Sequence, residues 1–173
     1  MKALKSKGFL LILLFCVSNL VDSTEWNHSS GSYKSERHVS EDQINSKNIK
    51  DLEVIWKYSS GKAYKNSPVQ SSPIYTGTKV ISISPKSVFA LDPVNGSLIW
   101  EVQWEDWVYS RGITFSKEPI PKIFVPKATG NRELSSTRQG GGGVLEIDEL
   151  SGKILGYFDS GLTVVPPIIH DGK

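Results

Sequence analysis

The sequence predicts an all-β chain built from repeated four-stranded sheets, on three observations. Short β-type runs are broken by turn residues, helical periodicity is almost absent from Val88 onward, and one segment repeats at a spacing of 56 residues. The runs are PIYTGTKVISIS from Pro73, SVFALDP from Ser87, SLIWEV from Ser97, RGITF from Arg111, KIFVP from Lys122, GGVLEIDE from Gly142 and KILGYF from Lys153. Between them, YTGTK and DPVNGS carry turn chemistry, with Gly77 and Gly96 free to take positive φ.

The repeat decides the architecture. VFALDPVNGSLI from Val88 aligns without a gap on VLEIDELSGKIL from Val144, pairing Val88 with Val144, Leu91 with Ile147, Asp92 with Asp148, Gly96 with Gly152, and Leu98-Ile99 with Ile154-Leu155. SPIYTGTK at Ser72 reappears as PPIIHDGK at Pro166, and VIWKY at Val54 resembles LIWEV at Leu98, setting Trp56 and Trp100 in equivalent positions. Three elements recurring in a consistent order imply propeller blades, which cannot bury their faces alone. Blade one is expected at about residues 72–103 and blade two at about 112–158, with the start of a third over 163–173. The chain is therefore read as a partial β-propeller of about two four-stranded blades, with an irregular N-terminal segment and ring-closing strand over 24–61 ahead of the incomplete propeller, 62–173. KATGNRELSSTRQGGGG, polar and Gly-rich, reads as a surface excursion before the third strand of blade two. No Gly-Lys-Ser/Thr follows its glycines and no helix begins there, so it is not a phosphate loop.

The first residues read as an export signal. Lys2, Lys5 and Lys7 precede the apolar run Phe9 to Val21, short for a membrane span, and cleavage is expected near Val21 to Ser23; a retained anchor is the alternative. Phe15 stands where a lipoprotein signal needs a small residue before Cys16. Without residues 1–23, the 20 basic and 18 acidic residues become 17 and 17, and the single cysteine is lost. A neutral chain gives no electrostatic footprint for nucleic acid, and a cysteine-free one has neither disulfide staples nor thiolate metal sites. His28, His38 and His170 lack metal-ligand spacing, and the sequons at Asn27 and Asn95 carry little weight.

A tryptophan at the end of a hairpin needs a reason. Asp92 can accept hydrogen bonds from turn amides, Gly96 permits the turn, and Trp100 offers a large flat face with one N–H donor, so it is expected to lie across to a neighbouring blade. In blade two the positions of Ala90 and Trp100 are Glu146 and Gly156, so the staple there is expected to be degenerate.

Ala90-x-Asp92-x-x-x-Gly96-x-x-x-Trp100 resembles the tryptophan-docking motif of the quinoprotein dehydrogenases, enzymes that use pyrroloquinoline quinone on an eight-bladed propeller. The N-terminal stretch is similar to their opening at Trp26, Ser40, Gln43-Ile44-Asn45, Asn48-Ile49, Leu52, Trp56, Tyr58 and Gly61. The resemblance implies that Arg111 of the Arg111-Gly112 pair binds a carboxylate of the quinone, and that Gln70 and Thr163 stand beside the cofactor. Guanidinium suits that task, offering a planar fork to a carboxylate. The alcohol-oxidising branch has adjacent cysteines shortly before the Arg-Gly pair. Glu105-Asp106 stand there in this chain, which favours the glucose, sugar and polyol branch over the methanol branch.

What the resemblance implies is a periplasmic oxidoreductase that takes hydride from a sugar, polyol or alcohol, with Ca2+ as second cofactor and ubiquinone or cytochrome c as electron acceptor. The calcium ligands and the catalytic aspartate are expected beyond Lys173, so no catalytic or metal residue is assigned, and this polypeptide alone is expected to be inactive. The competing reading is a non-enzymatic propeller scaffold for outer-membrane protein assembly or peptide binding. It shares the Ala-Asp-Gly-Trp repeat but needs neither Arg111-Gly112 nor the long N-terminal segment.

Overall fold

The computed structural model describes residues 25–26, 28, 30–31, 34–35, 37–61, 71–104, 108–109, 111–129, 142–161 and 163–169. β1 (Ile74–Tyr75), β2 (Val80–Ser84), β3 (Ser87–Leu91) and β4 (Leu98–Gln103) form one antiparallel sheet in chain order. β5 (Val108–Tyr109), β6 (Thr114–Ser116), β7 (Lys122–Thr129), β8 (Gly142–Asp148) and β9 (Ile154–Asp159) form the second. β5 and β6 both pair with β7 and share the first position, so this sheet also has four strand positions. One 3-10 turn, Ile49–Asp51, is the helical content of the described residues. The chain is thus an all-β, unclosed pair of four-stranded sheets, a partial propeller.

Period-two burial explains how the sheets meet. Ile81 and Ile83 of β2, Val88 and Ala90 of β3 and Trp100 of β4 face Ile113, Phe115, Ile123, Val125, Leu145 and Ile147 in one core cluster, with Val102 and Trp104 packed against it. Ile81, Ile113, Ile123 and Ile147 have essentially no exposed surface. Burying each such side chain contributes roughly 1.5–3 kcal/mol, so the seam between the sheets is the main hydrophobic asset of the chain. β3 is buried on both faces, because the N-terminal segment covers the side away from the second sheet, where Tyr58 lies on Phe89 with ring centroids 4.9 Å apart.

The 56-residue repeat holds down to single backbone bonds. A register shift falls between Ala90 and Leu91 in one sheet and between Glu146 and Ile147 in the other. Asp92 N–H donates to Ser97 O at 2.9 Å and Asp148 N–H to Lys153 O at 2.8 Å, while Gly96 and Gly152 each donate to the carbonyl of that aspartate at 2.9 Å. Side chains close both turns: Asp92 Oδ1 accepts from Val94 N–H at 2.7 Å, and Asp148 Oδ2 accepts from Ser151 N–H at 2.9 Å and from the Ser151 hydroxyl.

Tryptophans link each repeat to the next. Trp100 Nε1 donates to Glu149 O at 2.9 Å and its ring lies on Gly152; Trp56 Nε1 donates to Pro93 O at 3.0 Å and its ring lies on Gly96. Pro93 and Glu149, like Gly96 and Gly152, are equivalent in the repeat, so the same joint is made twice. At the third equivalent place, Glu146 pairs with Gly156 and no indole is present.

RGITF and the Gly-rich excursion change in detail, and two further segments form no strand among the described residues. DLEVIWKY, read as a ring-closing strand, makes no ladder among the described residues, and Trp56 docks as its equivalence to Trp100 requires. RGITF is not one strand, since β6 begins only at Thr114. The Gly-rich excursion is shorter than its composition suggests, because Lys127–Thr129 extend β7 and Gly142–Gly143 begin β8; residues 130–141 lie outside the described residues. Of PPIIHDGK, residues 166–169 belong to no strand and the rest is not described, nor is the leader, residues 1–23.

Candidate cofactor-binding site

The first-strand edges of the two sheets face a common segment. Trp26 exchanges both backbone bonds with Tyr75 at 2.8 Å, and two residues later His28 bridges to Thr114. Burial holds the His28 imidazole below its ordinary pKa. Arg111 lies on the chain between β5 and β6, three residues before Thr114 on this shared edge.

Here the first strand of the second sheet is interrupted. Val108 and Tyr109 pair with Thr129 and Ala128, and pairing resumes with Thr114 opposite Phe124. Four residues separate Tyr109 from Thr114 but three separate Phe124 from Ala128, so one extra residue is accommodated as a bulge. Gly112 in this stretch is buried and Arg111 is exposed. Arg111 N–H leaves the sheet and donates to Val164 O at 2.8 Å, and the Thr114 hydroxyl donates to Pro167 O. Residues 163–167 therefore run beside Arg111–Thr114, which brings Thr163 next in chain to the residue that Arg111 holds.

Two of the three expected site residues are thus brought together, and the third, Gln70, lies outside the described residues, as do Glu105 and Asp106. The Arg111 guanidinium has no partner among the described residues and does not enter the ion pairs Lys79–Glu149, Lys117–Glu25 and Lys122–Glu146. A cation that no described carboxylate neutralises can take an anionic ligand. Thr163 is half-buried; its hydroxyl lies 2.8 Å from Ser160 Oγ and 3.3 Å from Gly161 O. An exposed guanidinium fork, on a backbone bonded to the residue after a threonine, has the chemistry to take a polycarboxylate.

A cavity of ≈ 390 Å³ lies beside β1, lined by Trp26, Ser72, Pro73, Ile74, Tyr75 and Val80. It presents no charged side chain and so does not match a polyanion. Among the described residues no group of three or more His, Cys, Asp or Glu gathers to hold a metal, and no helix is long and apolar enough to cross a membrane. The sequence reading missed a buried polar cluster between the sheets. Lys79 Nζ lies 2.9 Å from Glu149 Oε2, Thr76 Oγ1 donates to Glu149 Oε1 at 2.7 Å, and both charged side chains are buried. No spacing signals it, since each residue sits in a turn of its own sheet.

Residues 26–163 match the family described as PQQ: glucose/ethanol/alcohol dehydrogenase, beta-propeller domain. The chain is 26% identical over 125 residues to a quinate/shikimate dehydrogenase (quinone) of Acinetobacter baylyi, covering 66% of this chain and 16% of that protein. It is 36% identical over 83 residues to a putative dehydrogenase XoxF of Paracoccus denitrificans, covering 46% of this chain and 13% of that protein. The chain spans less than a fifth of either relative. With the match running from Trp26, through both docked tryptophans and Arg111, to Thr163, the chain belongs to the beta-propeller domain family of the PQQ-type glucose/ethanol/alcohol dehydrogenases.

Proposed function

We propose that this chain forms two blades of a quinoprotein dehydrogenase that oxidises a sugar, polyol or alcohol, and that Arg111 holds a carboxylate of its pyrroloquinoline quinone. The observation that carries this reading is the exposed Arg111 at the bulge, which pairs with no carboxylate among the described residues and whose N–H is bonded to Val164, the residue after Thr163. A polyhydroxylated substrate is supported by the quinate/shikimate enzyme among the relatives. When bound, the quinone supplies an acceptor for the hydride lost from the carbinol carbon. Arg111 then binds and orients through a charge-assisted, forked contact. Thr163 can donate to a cofactor oxygen by releasing its long contact to the Gly161 carbonyl; Gln70, outside the described residues, is proposed to stand beside the cofactor on the family resemblance alone. Calcium finds no donor set among the described residues, and no step is assigned to it.

Titration of the purified protein with pyrroloquinoline quinone, followed by tryptophan fluorescence, tests the site. Arg111→Ala is expected to raise the dissociation constant on the order of tenfold to a hundredfold, the effect of losing a charge-assisted bidentate contact. Unchanged affinity overturns the assignment. Export to the periplasm, supported by the Lys-flanked apolar run Phe9–Val21, is checked by fractionation; recovery of the protein in the cytoplasm alone rejects it.

A further inference from the structure

β7 contains a proline in mid-strand. Pro126 is fully buried and pairs with Val144 of β8, in a register that runs unshifted from Lys122 opposite Asp148 to Ala128 opposite Gly142. A proline cannot donate a ladder bond and is tolerated inside a sheet where the ladder is already broken. On its β8 side the ladder is intact. On the other side, pairing with the first strand stops at Ala128 and resumes at Phe124, leaving Val125, Pro126 and Lys127 opposite the chain that contains Arg111 and Gly112.

We propose that Pro126 is a positioning residue for Arg111: it denies β7 the N–H that would draw residues 111–113 into the ladder, and so keeps the bulge that sends Arg111 out of the sheet. The inference rests on the reading of Arg111 as the anion-binding group. Two observations support the link. The Arg111 N–H is satisfied by Val164 O, at 2.8 Å, and not by β7. Its side chain is exposed while its neighbours Gly112 and Ile113 are buried, which is the re-aiming that an extra residue produces. Closing the bulge would slip the first strand by one residue, and a one-residue slip turns every side chain to the opposite face. Arg111 would then lose both its bond to Val164 and its outward direction.

The test replaces Pro126 with Val, which restores an N–H and favours a regular strand, and compares it with Ile147→Val, a core substitution on β8 distant in register from the bulge. Three quantities are read for each: the thermal midpoint, the affinity for pyrroloquinoline quinone, and the hydrogen-exchange rate of the Arg111 amide. Pro126→Val is expected to weaken the affinity on the order of tenfold, as misplacing a charge-assisted contact does, and to change Arg111 amide exchange. Ile147→Val, at a comparable loss of midpoint, is expected to leave both unchanged. Unchanged affinity in Pro126→Val overturns the proposal, as does an equal loss in Ile147→Val. Failure of both Pro126→Val and Pro126→Ala to fold also overturns it, because Pro126 would then serve folding and not positioning. If Arg111→Ala itself binds the quinone normally, the binding reading fails, and amide exchange alone then decides whether Pro126 holds the bulge.

Discussion

At Gly152 there is no room for a side chain: an ideal Cβ would stand 2.8 Å from Trp100 Cδ2, and φ is +74°. The equivalent Cβ at Gly96 would stand 2.6 Å from Trp56 Cε3, so the docking surface in each turn is a bare backbone. Gly152→Ala is expected to destabilise by more than ~1 kcal/mol, since clash and positive φ act together; urea denaturation measures it. Trp100→Phe keeps most of the ring but removes the donor to Glu149 O, and should cost about 1–3 kcal/mol through the buried carbonyl left unsatisfied. Asp148 adds a pH dependence. Its hydrogen bonds from the Ser151 hydroxyl and N–H hold its pKa below the ordinary 3.8. A carboxyl whose folded pKa is depressed contributes stability that is complete above its unfolded value and lost as pH falls through the folded one. Thermal midpoints measured from pH 5 downward should therefore fall less steeply in Ser151→Ala than in the parent, and equal slopes reject the linkage.

The elements meet through a polar joint as well as an aromatic one. Lys79 at the end of the β1–β2 turn and Glu149 at the start of the β8–β9 turn are 70 residues apart in sequence, yet they form a buried pair, and the Glu149 carbonyl accepts from Trp100. Removing one partner strands the other, so Lys79→Met is expected to cost about 3–5 kcal/mol, whereas Lys79→Met with Glu149→Leu should recover much of that. A double-mutant cycle measures the coupling, and additive losses refute it. This joint also shows where sequence reading stops. YTGTK is correctly read as a turn, but a lysine in a turn reads as solvated, and its burial is created by a neighbouring sheet. The docking of Trp100 was legible because indole and glycine recur with the repeat; its acceptor was not, because any residue supplies a carbonyl. RGITF looks continuous because an inserted residue does not disturb apolar patterning. The nearness of Arg111 to Thr163 likewise depends on how residues 163–167 pass the bulge, which no local signal encodes.

On the scale of the whole molecule, the two faces of the second sheet are unequal. One is buried against the first sheet, and alternation along β9 puts Ile154, Gly156 and Phe158 on the side equivalent to Leu98, Trp100 and Val102 of β4. In the first sheet that side is covered by its neighbour, with Trp100 buried and Val102 packed on the core. In the second, Phe158, the equivalent of Val102, is 53% exposed, while Ile154 at 48% matches Leu98 at 47%, and β9 pairs with β8 alone among the described residues. An apolar face beside an unpaired strand edge promotes association between chains. Gly156 withholds the indole that would otherwise fix one docking geometry, so the contact formed should lack a single register. Produced as the 173-residue polypeptide, the protein is expected to self-associate with rising concentration, read by light scattering on a sizing column. Phe158→Lys with Ile154→Lys should shift it toward monomer, because charge on that face opposes burial. Leu155→Lys with Tyr157→Lys, on the opposite side of β9, should not. A monomeric parent, or equal shifts from both pairs, would show that this face does not drive the association.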